Sequence, residues 1–148
     1  MNLLLRQIEE AFGDAPRPPD EELLHEACSD DSDLKRLYGI RHWREVPDSA
    51  IETEWAALYF LSPAGFRHFL PAYLSYSVRY AESGAAAVGA TLFALAPAPG
   101  DLLVFSLSKF SLFNNAQRSA VAAFLGAMAG FQDLYAEELR AAGEYWNL

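Results

Sequence analysis

Three features of this 148-residue chain predict an all-α fold, a single compact domain of about five to seven helices. Apolar residues recur at three- and four-residue spacing along most of its length. Helix start signals such as Ser62-Pro63 precede those runs, and no stretch alternates long enough to build a sheet. Ten Phe, seven Tyr and three Trp supply a core, which sets the chain apart from disordered sequences of similar charge.

Leu4, Ile8, Ala11 and Phe12 mark a first helix over residues 2–12, with Gly13 as its stop and three prolines in the loop that follows. Asp20 is a suitable N-cap, and Glu21 and Glu22 fit the first turn of a second helix with Leu23, Leu24 and Ala27 on its apolar side. The run Ser29 to Asp33 ends it and caps another short helix that closes near Gly39. Residues 40–47 read as a connection. Asp48 then caps a helix with Ile51, Trp55, Leu58 and Tyr59 inward and with Glu52 and Glu54 on its wet side. From Ser62-Pro63 the apolar face runs Phe66, Phe69, Leu70, Tyr73, Leu74, and Pro71 inside it predicts a kink or two helices meeting. Residues 84–100 are rich in Ala, Gly and Pro and stay unassigned, and residues 101–113 fit a short helix or a strand. Asn114 or Asn115 caps a last long helix with Val121, Phe124, Leu125, Met128, Phe131, Tyr135 and Leu139 on one face.

Acidic side chains outnumber basic ones 20 to 11, a net charge of −9. Residues 1–54 hold fourteen acids and six bases, so the excess belongs to the N-terminal third. That balance argues against nucleic acid as a direct ligand, because phosphate binding needs a basic surface. The N-terminal apolar run stops after three leucines and meets Glu9 and Glu10, unlike a secretory signal. With Cys28 as the single cysteine, a cytoplasmic location is expected. Neither residues 83–100 nor Ala120 to Phe131 make a convincing membrane span, so no membrane association is expected.

Motifs for chemistry are weak. Gly84 to Thr91 has the glycines of a phosphate loop, but Ala90 stands where its lysine belongs. His25, Cys28 and Asp31 are three residues apart, yet the chain lacks the four paired ligands of a structural zinc site; no metal and no cofactor are expected. Ser62 lacks a nucleophile elbow and His68 falls on another side of its helix. The carboxylate pairs lie in polar surroundings that would not raise a pKa, so no enzyme activity is expected. Gly126 and Gly130 are spaced for close helix contact.

Arg41, His42, Trp43 and Arg44 form the one concentrated cationic and aromatic cluster. Trp and Arg favour interface hot spots, while the alternative is a tryptophan that packs its loop onto the core.

The segment Ser62-Pro63-Ala64-Gly65-Phe66-Arg67-His68-Phe69-Leu70-Pro71-Ala72, together with Trp43 to Pro47 and Ser111 to Arg118, resembles a bacterial family of uncharacterised small proteins recorded as a domain of unknown function. The resemblance implies a single soluble domain with Ser62, Pro63, Phe66, Arg67, Phe69, Pro71 and Tyr73 as a fold-defining segment, and it implies no activity. The chain departs from the family pattern in its Ala/Gly-rich residues 84–100.

The expected function is a non-enzymatic protein-binding domain that neutralises a basic partner, in the manner of immunity proteins that block bacterial toxins. Asp30, Asp31, Asp33, Glu52 and Glu54 are the acidic candidates for the partner surface, joined by Arg41, Trp43 and Arg44. The alternatives are a scaffold domain docking through Trp43 and a small-ligand domain with a pocket among the aromatics Phe66 to Tyr80, marked by Arg67 or Arg79 turned into a cavity. A homo-oligomer is left open.

Overall fold

The computed structural model describes residues 2–146. Among them are eight α-helices and no strand: α1 (Asn2–Phe12), α2 (Asp48–Thr53), α3 (Ala57–Phe60), α4 (Pro63–Arg79), α5 (Ala86–Ala94), α6 (Leu103–Phe110), α7 (Asn115–Met128) and α8 (Gln132–Trp146). The all-α class is as expected, with one helix more than the upper count.

Helix α4 is the axis of the molecule. Ser62 caps it, its Oγ accepting from Gly65 N at 3.1 Å, and Pro63 occupies the first turn where no amide partner is required. The helix runs through Pro71 rather than dividing there. An interior proline costs about 3 kcal/mol, and here that cost is offset by complete burial of Phe66, Phe69, Leu70, Tyr73 and Leu74. Helices α1, α5, α6 and α7 pack on it, and one continuous apolar core joins Ile8 of α1 to Trp146 of α8.

The expected helix at Asp20 does not form. Only a single 3-10 turn spans Asp20–Glu22, after which the chain extends and Leu24 makes an antiparallel bridge with Leu61. His25 N donates to Phe60 O at 2.8 Å and Ser62 N to Leu23 O at 2.7 Å, so distant backbone satisfies these groups in place of a helix ladder. The short helix expected before Gly39 is likewise one turn, Lys35–Leu37. Arg17 holds this irregular layer together: its Nε donates to Ile40 O at 2.8 Å, its Nη2 to Leu37 O at 3.2 Å and to Asp20 at 2.6 Å, and its guanidinium lies over the Phe69 ring. Gly39 adopts φ +80°, which turns its N–H towards the same Asp20 carboxylate.

Between Asp48 and Phe60 the single expected helix is two, separated at Glu54 by non-helical backbone (φ −98°, ψ 46°). Pro47, rather than Asp48, is the cap residue of the first. The break shifts the helical phase, turning Trp55 outward and Glu54 inward. Residues 86–94 and 103–110 are both helical. Asn114 caps α7 with a reciprocal capping box to Gln117, and the last long helix divides at the turn Ala129–Phe131 into α7 and α8.

Candidate functional site

The bridge between Leu24 and Leu61 fixes the segment Glu21–Ala27 alongside α6. Ser62 Oγ, besides capping α4, donates to Glu22 O at 2.8 Å and holds that segment in place. A groove of about 750 Å³ runs between the two. Glu21, Glu22 and Glu26 line one wall, and Val104 and Phe105 of α6 line the other. All three glutamates are exposed, and among the described residues no lysine or arginine lines the groove.

Helix α6 buries Ser106, Lys109 and Phe110 and presents the opposite side to water. Val104 is 80% exposed, Leu102 60% and Phe93 of α5 62%, with Leu103 also exposed. Single exposed apolar residues are ordinary, but four grouped at the junction of α5 and α6 make an apolar shelf. The Pro-rich connection presents it: Ala98 N donates to Ser106 Oγ at 3.2 Å and Trp146 Nε1 to Leu95 O at 2.7 Å, pinning the loop on both sides.

Phe105 is shared by the groove and by a cavity of about 200 Å³ behind it, lined also by Tyr59, Phe93, Leu102 and Lys109. The His25 ring stacks on Phe105 with centroids 4.2 Å apart, and the Lys109 ammonium lies 4.4 Å from the centre of the same ring. His25 Nδ1 accepts from Ala27 N at 3.0 Å, so the neutral imidazole carries its proton on Nε2. Burial, with the Lys109 charge second, lowers the His25 pKa from its ordinary value. Lys109 is 5% exposed, its Nζ donating to Leu58 O at 3.1 Å and Tyr59 O at 2.8 Å at the end of α3. Burial pushes its pKa down to about 8, leaving the ammonium the major form at neutral pH.

The expected site residues are dispersed by comparison. Asp30 Oδ1 accepts from Ser32 N, Asp31 accepts from Tyr38 Oη and pairs with Lys35 at 3.6 Å, and Glu52 accepts from Tyr76 Oη at 2.9 Å. Asp33 is half-buried. Glu54 is not on the wet side: it is 4% exposed, with Oε2 accepting from Arg36 N at 3.0 Å and its carbonyl accepting from Tyr73 Oη at 2.7 Å. Trp43 is buried, its Nε1 donating to Phe12 O at 3.2 Å and its N–H to His68 Nε2 at 3.1 Å. It joins its loop to the core, and Arg44 is paired with Glu9, which leaves Arg41 as the exposed arginine of that cluster without an ion pair. The aromatics Phe66, Phe69, Tyr73 and Tyr76 fill the core, Arg67 donates to Leu112 O, and Arg79 pairs with Asp48 at 2.8 Å.

His25, Cys28 and Asp31 do not share a helix face, because the segment is not helical. Among the described residues no three His, Cys, Asp or Glu side chains gather to hold a metal ion, and no helix is long and apolar enough to cross a membrane.

A family model described as a family of unknown function, DUF6714, matches residues 1–148. The chain belongs to DUF6714. Neither a curated protein nor a solved structure matches it. Membership of DUF6714 brings no assigned chemistry, so the groove, the shelf and the buried lysine are weighed on their own geometry.

The groove residues Glu21 and Glu22 were visible in sequence only as a helix start, Glu26 carried no signal, and the shelf residues Leu102 to Val104 were only part of an ambiguous run. What sequence offered was the pair of apolar residues Leu103-Val104 after Pro97, Pro99 and Gly100, a hydrophobic cluster at a turn.

Proposed function

We propose that this DUF6714 chain is a non-enzymatic protein-binding domain that receives a cationic, amphipathic segment of a partner in the groove between Glu21–Ala27 and α6. The observation that carries this reading is the pairing, across one groove, of the apolar side chains Val104 and Phe105 of α6 with the exposed carboxylates Glu21, Glu22 and Glu26 on the opposite wall. An amphipathic segment would lay leucine-like side chains on Val104 and Phe105 while its lysines or arginines meet Glu21, Glu22 and Glu26. Full burial of Val104 contributes about 1.5–3 kcal/mol before association costs. Asp30, Asp31, Asp33 and Glu52 extend the negative field and steer a basic partner towards the molecule, raising the association rate more than the final affinity.

Within this reading the finer proposal is an immunity-type inhibitor of a bacterial toxin. Basic toxins, nucleases among them, carry positive surfaces to attract phosphate, and an acidic domain of this size complements them. Co-expression with the product of the adjacent gene is the experiment. Co-purification is expected, with affinity falling as salt rises and dropping by about tenfold or more on Glu21→Lys combined with Glu26→Lys. Failure of the neighbour to bind, or cells that lack this chain and yet tolerate the neighbour, overturns the inhibitor proposal.

A further inference from the structure

The cavity behind Phe105 holds a charge that the fold does not neutralise. Lys109 Nζ is buried against the Phe105 and Phe66 rings, with two of its three protons on the carbonyls of Leu58 and Tyr59. No carboxylate lies within ion-pair distance of it among the described residues. Buried charges in proteins are usually paired, because desolvating an ammonium is expensive and two carbonyl dipoles repay only part of that. Capping the carbonyls at the end of α3 would be served as well by a water or by a neutral donor. A full cation placed there adds something the cap alone does not require.

The space beside this charge has a definite size and polarity. Its walls are Tyr59, Phe93, Ala94, Leu102 and Phe105, with the Ser106 and Tyr59 hydroxyls as further polar groups. A closed apolar cavity of about 150 Å³ holds benzene; this recess is about 200 Å³ and opens to solvent beside Phe93 and Leu102. It therefore suits an apolar body slightly larger than a benzene ring. The Nζ atom stands 4.4 Å from the centre of one wall, the Phe105 ring, and 2.8 Å from the carbonyl of another, Tyr59. Lys109 lines this recess, and one of its ammonium protons is not taken by the Leu58 and Tyr59 carbonyls.

We propose that this cavity is a binding site for a small monocarboxylate, its carboxylate on the Lys109 ammonium and its short aliphatic or aromatic body against Tyr59, Phe93 and Leu102. The carboxylate supplies the missing counter-ion to a lysine that is itself buried, where a charge-assisted hydrogen bond is stronger than in water. An isosteric neutral ligand fills the same volume but leaves the lysine unneutralised, so the site selects charge as well as size. This proposal is separate from partner docking: the ligand lies against Phe93 and Leu102, the partner against Val104 in the groove, and the two sites share the Phe105 ring.

The test compares hexanoate with hexanamide by amide chemical-shift titration of the full chain at neutral pH. Hexanoate is expected to shift the amides of Ala94, Ala96 and Ser106 and to bind about tenfold or more tightly than hexanamide. Lys109→Met is expected to abolish the preference for the acid while the rest of the spectrum stays dispersed. Should that variant fail to fold, the acid and amide comparison on the native chain decides alone. Equal binding of the two compounds, no shifts at those amides, or an acid preference that survives in Lys109→Met each overturn the proposal.

Discussion

His68 sits at the centre of the seam between the N-terminal layer and α4, and its two ring nitrogens settle its charge. Nδ1–H donates to Ala15 O at 2.9 Å, and Nε2 accepts from Trp43 N, an arrangement that only the neutral ring satisfies. Burial drives its pKa down to about 4, well below the ordinary value of 6.5. The unfolded chain therefore takes up the proton first as pH falls, and the fold loses stability between about pH 6.5 and 4, by about 3 kcal/mol in total. Denaturant titrations across that range should show the loss, and His68→Gln, which keeps one donor and one acceptor, should flatten the difference; an unchanged slope in the variant would assign the effect to other groups. Glu54 is a second residue whose role is set by burial. Glu54→Ala leaves the Arg36 amide without its acceptor and should cost about 1–3 kcal/mol in the same assay, while Glu54→Gln, which retains an acceptor, should cost less. Sequence placed Glu54 in water because it read one helix from Asp48 to Tyr59. The break at Glu54 itself, invisible in residue spacing, reverses the faces of Glu54 and Trp55.

At the scale of elements, helices were legible where a clear start signal or a contrast between faces marked them. Leu4, Ile8 and Phe12 gave α1, because burial on one face leaves a period in the sequence, while α4, buried on most of its sides, was marked by its Ser62-Pro63 start and the aromatic run after it. Helix α5 is apolar on nearly every side, so no period marks it. The segment from Asp20 to Ala27 carried helix signals, yet His25 N donates to Phe60 O and Leu23 O accepts from Ser62 N across the bridge at Leu61, a long-range pairing that local propensity cannot register. Ser62 is the joint between the two elements, capping α4 while its hydroxyl donates to Glu22 O. Ser62→Ala should cost about 1–2 kcal/mol in unfolding free energy and should accelerate hydrogen exchange at the His25 amide, since the segment that forms the groove wall loses one of its ties. Exchange at His25 equal to that of the native chain would show that the backbone bridge holds the wall unaided.

For the molecule as a whole, the acidic excess of residues 1–54 and the apolar surplus of the C-terminal helices come together on one surface. The N-terminal layer, stapled by Arg17 and anchored through Trp43 and His68, lies against the helical core so that Glu21, Glu22 and Glu26 face α6. The charge asymmetry was legible in composition, whereas the particular acids and the α6 side chains Val104 and Phe105 across the groove required the fold, because the groove is formed by residues about eighty apart in the chain. The most direct measurement is an amide chemical-shift titration of the isotope-labelled chain with a helical peptide bearing leucines on one face and lysines on the other. Its counterpart, with glutamates replacing the lysines, serves as the control. Shifts concentrated in residues 21–27 and 102–108, stronger at low salt and absent with the glutamate peptide, are the result expected for a docking groove of this charge and shape. A shift map centred on Asp30 to Asp33 or on Arg41 to Arg44, or equal binding of both peptides, would contradict it.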